Sequence, residues 1–188
     1  MYGIHVVRSA SFVRVDHGLP AYRRCMARAQ KKRIQPGPGQ ESVWDYPRPP
    51  RVERTAEHVV IEIDGRVIAE TTNAVRVLET SHPPVYYLPR SSFVAGALNP
   101  APGTTFCEFK GVAQYLSVGT ADGAAWFYPS PTRGFEALAD MVAVYPEQMD
   151  RCTVDGEIAY AQAGDFYGGW ITSKIVGPFK GEPGTLGW

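Results

Sequence analysis

Residues 57–71, EHVVIEIDGRVIAET, decide the fold class. Two β-rich runs flank Asp64-Gly65. That dipeptide suits a type I′ turn, in which both central residues take positive φ. The stretch is therefore predicted as a β-hairpin, and the pattern returns in CTVDGEIAYAQ (152–162) around Asp155-Gly156. Working outward, AVRVLET (74–80) alternates, and HPPVYYLP (82–89) is a short strand bracketed by prolines. TTFCEF (104–109), Lys110-Gly111 and VAQYLSV (112–118) read as strand, kink, strand. AAWFYP (124–129) and VAVYP (142–146) add two more strands. RSSFVAGAL (90–98) is predicted to form one or two helical turns with Ser91 or Ser92 as N-cap, and TRGFEALADM (132–141) a short helix. ESVWDYPRPP (41–50) is expected to be extended, because Pro47, Pro49 and Pro50 fix φ and remove donors. Roughly eight short strands with few, weak helices predict an all-β, mainly antiparallel domain.

The zero formal charge of the 188 residues hides an asymmetry. Residues 1–40 hold eight Arg/Lys against Asp16 alone, a balance of +7, so residues 41–188 carry −7. Residues 1–40 read as a basic extension and residues 41–188 as the domain. The extension has three readings: a solvated tail (or an early start, with Met26 the first residue), an arm for a polyanion, or an organelle transit peptide over residues 1–34. A mildly acidic domain does not suit nucleic acid, which needs a basic face. No run approaches the ~18 apolar residues of a membrane span, so no membrane partner is expected. Cys25, Cys107 and Cys152 are scattered, without a C-x-x-C pair. That argues against a disulfide framework and a thiolate zinc site, and fits a reducing cytoplasm.

No named catalytic motif is present: no G-x-S-x-G, H-E-x-x-H, Walker A or G-x-G-x-x-G. Two of the four histidines, His5 and His17, lie in the extension, which disfavours a multi-histidine metal site. Neither a cofactor nor a metal is expected. The densest chemistry lies in residues 104–128. Strand alternation puts Cys107 and Phe109 on one face and Glu108 and Lys110 on the other, with Gly111 a candidate bulge. Tyr115, Trp126 and Tyr128 supply large rings, the last two on a shared face. A lysine near such rings can be desolvated and reactive; alternatively it snorkels to solvent and the rings fill the core. Cys107 reads as a small buried hydrophobe or a nucleophile. His82 reads as a surface hydrogen-bonder or a general base. Tyr86 and Tyr87 face opposite ways, one to the core and one toward a cleft. Asp155 and Glu157 read as turn chemistry. In GDFYGGWITS (164–173), paired glycines allow a bent segment that folds Phe166, Tyr167 and Trp170 over a site mouth or a core edge.

ESVWDYPRPP, VYYLPR, TTFCEFKGVAQYLSV, AAWFYPSP and FYGGWITS, in that order over about residues 41–188, resemble the DUF427 family of uncharacterised small β proteins in its longer form. The resemblance implies a β-tent: two antiparallel sheets meeting at an angle, similar to the cereblon ligand-binding domain and methionine sulfoxide reductase B. Those relatives hold zinc through C-x-x-C pairs, so this chain implies a zinc-free version. Tyr87 and Pro89 match the family's Y-x-P. Thr105, Cys107, Lys110 and Gly111 match T-x-C-x-x-K-G, followed by its tyrosine, Tyr115, and Trp126 and Tyr128 match W-x-Y. Ser91-Ser92 stands where the family usually has an acidic pair. A nucleotidyltransferase label attached to the family finds no clustered carboxylates and no phosphate loop in this sequence.

The reading that follows is a small-molecule site between the sheets, lined by Tyr87, Tyr115, Trp126, Tyr128 and Trp170 with Lys110 as polar contact. The alternative is an enzyme using Cys107 or Lys110 as nucleophile or acid–base group, assisted by His82 or Tyr115. A third is a structural or partner-binding module. The sequence leaves the ligand and the oligomeric state open.

Overall fold

The computed structural model describes residues 33–164, 166–185 and 187–188. Residues 1–32, with Cys25, His5 and His17 and the first part of the basic extension, lie outside them. Fifteen strands form among the described residues. In chain order they are β1 (Glu41–Ser42), β2 (Arg51–Arg54), β3 (Val59–Ile63), β4 (Arg66–Thr71), β5 (Val75–Leu78), β6 (Val85–Pro89), β7 (Leu98–Cys107), β8 (Gly111–Val118), β9 (Ala121–Phe127), β10 (Met141–Val144), β11 (Arg151–Val154), β12 (Glu157–Ile158), β13 (Tyr160–Ala161), β14 (Trp170–Ile171) and β15 (Ile175–Val176). A seven-stranded antiparallel sheet runs β2-β5-β6-β10-β9-β8-β7, and a four-stranded one runs β12-β11-β3-β4. Two small pairs complete the set, β13 antiparallel to β14 and β1 parallel to β15.

The two hairpins read from Asp-Gly pairs are β3–β4 and β11–β12. Asp64 and Gly65 take φ of 53° and 67°, and Asp155 and Gly156 take 51° and 81°, as a type I′ turn requires. The predicted helices shrink. Residues 90–98 hold a single 3-10 turn, Arg90–Ser92, with no side-chain cap. Ser92 Oγ instead donates to the Pro89 carbonyl, and Phe93 bridges to Ala69. Residues 132–141 hold one such turn, Glu136–Leu138, and Met141 already opens β10. In the segment expected to be extended, Val43–Asp45 forms another such turn, with Ser42 Oγ accepting from Trp44 N. Strand β7 starts earlier than its sequence suggests. It carries Pro100 and Pro102, which an edge strand tolerates because one side of its backbone needs no partner. Residues 33–40, read above as part of the extension, are tied to the domain: Ile34 N donates to Gly177 O and Gln40 Nε2 to Ser173 O.

Alternation gives the large sheet two different faces. Tyr86 and Leu88 of β6, Val142 and Val144 of β10, and Leu116 and Val118 of β8 pack with Val59, Ile61 and Ile63 of β3 into the core between the sheets. Tyr87, Met141, Ala143 and Trp126 belong to a second cluster with Ala113 and Tyr128. Tyr86 and Tyr87 thus divide as their positions predict. The space expected to hold a pocket is filled: Val59, Ile61, Leu88, Val118, Val142 and Val144 are all fully buried there.

Candidate functional site

A cavity of about 320 Å³ lies against the second cluster, on the face of the large sheet turned away from the four-stranded sheet. That volume is within the range of small-molecule sites. Its lining draws on β5–β9, on the loop before β6, on Tyr145 just past β10, and on the stretch around Gly168. Tyr87, Tyr115, Trp126 and Tyr128 all line it, as do Cys107, Lys110 and His82. Sequence alternation had set Cys107 and Lys110 on opposite faces. They meet because β7 ends at Cys107, and residues 108–110 form the hairpin turn that carries Lys110 round to the same side.

Trp170 is the exception. It is fully buried in the core between the sheets, its ring 5.1 Å from that of Tyr86. Its Nε1 has no hydrogen-bond partner among the described residues. The glycine pair separates it from the cavity-lining Phe166 and Tyr167. An added Cβ at Gly168 would lie 2.1 Å from Trp126 Cη2, and one at Gly169 would lie 2.4 Å from Gln162 Oε1. Gly168 therefore lets backbone rest directly on the Trp126 ring, and Gly169 lets it pass close to Gln162 and Pro83.

The rings are fixed in place. Trp126 Nε1 donates to the Tyr87 hydroxyl at 3.0 Å, and the Trp126 ring packs 4.5 Å from that of Tyr145. Tyr87 and Tyr128 sit 6.4 Å apart, and the Tyr115 and Thr105 hydroxyls share a 3.0 Å hydrogen bond. Burial pushes the Tyr87 phenol well above its ordinary range. Burial does the same to Tyr128, reinforced by Tyr87 and Cys107 beside it. These phenols therefore stay neutral donors and acceptors at physiological pH.

His82 is held by a 2.9 Å hydrogen bond between Nδ1 and the Thr80 carbonyl. A carbonyl only accepts, so Nδ1 carries the proton. Burial lowers the His82 pKa below its ordinary value, against the opposing pull of the Thr80 carbonyl. The ring is neutral near pH 7, and Nε2 keeps its lone pair.

Sequence reasoning missed several lining residues. Tyr145 was legible from alternation, two residues past Ala143 on the same face. Arg48, Glu79 and Lys180 arrive from distant segments and carried no local signal, whereas Phe166 and Tyr167, read above as folding over a site mouth, do line the cavity. Arg48 donates to Glu79 at 2.8 Å and to Glu108 at 2.6 Å. Lys180 Nζ donates to the Trp188 carbonyl oxygen at 2.6 Å.

A family model described as "Domain of unknown function (DUF427)" matches residues 51–155. The chain belongs to the DUF427 family. No curated protein matches it. The matched stretch is narrower than the expected 41–188 and supplies the sheet-borne part of the cavity. Arg48, Gln162, Tyr167, Gly168 and Lys180 come from outside it. Most motif residues of the resemblance gather at the cavity: Tyr87, Thr105, Cys107, Lys110, Tyr115, Trp126 and Tyr128 line it, and Pro89 and Gly111 do not. Ser91 and Ser92, the departure from the DUF427 pattern, do not. Among the described residues no group of three or more His, Cys, Asp or Glu side chains is placed to hold a metal ion.

Proposed function

We propose that this DUF427 domain binds a small ring-bearing molecule in the cavity on the outer face of the seven-stranded sheet. The observation that carries the reading is the cavity itself: about 320 Å³, walled by rings fixed through Trp126–Tyr87 and Trp126–Tyr145 contacts. Aromatic walls with a few polar groups are the usual make-up of a ligand site. A face built only to bury apolar surface has no need to hold a hollow of this size. The test is a thermal-shift screen of the full chain against a metabolite library, beside Trp126→Ala. A ligand at 100 times its dissociation constant adds about 2.7 kcal/mol to stability. Hits that shift the parent and not the variant support the reading. A broad library with no hit, or hits indifferent to Trp126→Ala, counts against it and favours the partner-binding module.

A second reading has its own observation. His82, with Nδ1 committed to Thr80, keeps a basic Nε2, and Cys107 and Lys110 line the same cavity. That is the inventory of an acid–base or nucleophilic enzyme. It requires turnover of a bound molecule that His82→Gln and either Cys107→Ala or Lys110→Met abolish. Unchanged conversion in all three variants removes it.

A further inference from the structure

Aromatic walls alone suit two opposite ligands. Faces of Trp and Tyr attract cations, and they also stack on the flat body of an organic anion. The charges around the cavity separate these cases. From residue 41 onward the described residues include eleven Lys/Arg and seventeen Asp/Glu. Arg48, Lys110 and Lys180 line the cavity, against the single carboxylate Glu79. A domain of net negative charge thus turns three of its few cations onto one hollow. Glu79 is also not free to receive a cation, because Arg48 bridges it to Glu108. Lys180 is engaged by the Trp188 oxygen. Lys110 is left, half-buried at the hairpin turn, with no hydrogen bond or ion pair from its ammonium among the described residues.

We infer that the cavity takes a ring-bearing carboxylate, its flat body against Trp126 and the tyrosines and its anionic group on Lys110. This rests on the ligand-binding reading above and deepens it. One free ammonium beside phenol hydroxyls matches a monoanion. A phosphate dianion calls for several cations or a row of backbone N–H groups at a helix start, and the described residues contain no α-helix. A quaternary or primary amine would meet three cations at the walls and no unpaired carboxylate.

The experiment uses the full chain and two matched series, each with one ring and three charges. They are indole-3-acetate, indole-3-acetamide and tryptamine, and phenylacetate, phenylacetamide and phenethylamine. Affinities are measured by calorimetry and saturation-transfer NMR at low and high salt, for the parent, Lys110→Met and Trp126→Ala. The expected result is that at least one carboxylate binds about tenfold or more tightly than its amide and amine, as a charge-assisted hydrogen bond implies. The margin shrinks with salt and disappears in Lys110→Met, where the amide's affinity is unchanged. An amide or amine that matches its carboxylate, or a preference that survives Lys110→Met, overturns the anion assignment and leaves the ligand-binding reading standing. If none of the six binds the parent, or binding ignores Trp126→Ala, the assignment is overturned; the metabolite screen then decides the ligand-binding reading separately.

Discussion

Gly168→Ala tests whether Gly168 serves to seat backbone on Trp126. The new Cβ would lie 2.1 Å from Trp126 Cη2 and 3.0 and 3.1 Å from Cζ3 and Cζ2. Carbon atoms settle near 3.5–4.0 Å, so the ring or the backbone must retreat by roughly 1 Å or more. Trp126 has little freedom to do so: it is 8% exposed, bonded to the Tyr87 hydroxyl and packed on Tyr145. Overpacking of this kind costs about 1–3 kcal/mol, and a displaced Trp126–Tyr87 hydrogen bond adds about 1 kcal/mol. Gly168 does not take positive φ. Alanine is therefore conformationally allowed there, and by restricting the unfolded chain it returns about 0.4–1 kcal/mol. The net expectation is a loss near 2 kcal/mol, a fall in Tm of about 4–8 °C for a domain of this size. Thermal unfolding followed by circular dichroism and by tryptophan emission measures it. The clashing atoms all belong to the outer ring of the indole, which phenylalanine lacks. In a Trp126→Phe background the cost of Gly168→Ala therefore falls below about 1 kcal/mol. An unchanged or raised Tm in the single variant, or an equal cost in both backgrounds, refutes the reasoning.

Four further outcomes are expected. Tyr87→Phe strips the acceptor from the buried Trp126 N–H and lowers stability by about 1–3 kcal/mol in denaturant titration; a cost below 0.5 kcal/mol would mean that another acceptor takes over. Glu57 accepts from the Tyr86 hydroxyl and Lys174, and these bonds outweigh burial to hold its carboxyl below the ordinary glutamate value. The folded pKa is depressed, so its contribution is full above the unfolded value and is lost as pH falls through the folded one. Glu57→Gln should therefore flatten the decline of Tm below about pH 4.5, and an identical acid profile contradicts the assignment. Nitrogen NMR should find His82 titrating below 6.5 with the proton on Nδ1; a higher midpoint or the opposite tautomer breaks the case for a free Nε2. Iodoacetamide followed by mass spectrometry should modify half-buried Cys107 well before Cys152, whose thiol burial pushes far up; equal rates would show that the cavity does not admit the reagent.

Local rules settled what local geometry controls. Asp64-Gly65 and Asp155-Gly156 fixed two hairpins, because the positive φ at both positions is a property of the dipeptide. Alternation told Tyr86 from Tyr87 and put Trp126 with Tyr128, because the strand period needs no knowledge of the partner strand. The rings at the cavity were legible in part for the same reason, since Tyr115 and Trp126 lie on neighbouring strands; Cys107 and Lys110, set on opposite faces by alternation, meet only because the turn at residues 108–110 carries Lys110 round. The segments with weak local preferences were misread. RSSFVAGAL became a turn and a bridge once Phe93 found Ala69, since helix propensity over nine residues is smaller than one good tertiary contact.

By itself, then, the chain determined an antiparallel all-β domain, its two Asp-Gly hairpins and most of the rings that meet at one site. Only the tertiary structure decided which side of the large sheet is hollow, because that depends on the four-stranded sheet filling the opposite side. It also decided that Trp170 belongs to the core while its neighbours Phe166 and Tyr167 line the cavity. It placed Arg48, Glu79 and Lys180 beside Lys110 as well. Charges from positions 48, 79, 110 and 180 are brought to one cavity by the fold, and no spacing along the chain encodes that meeting.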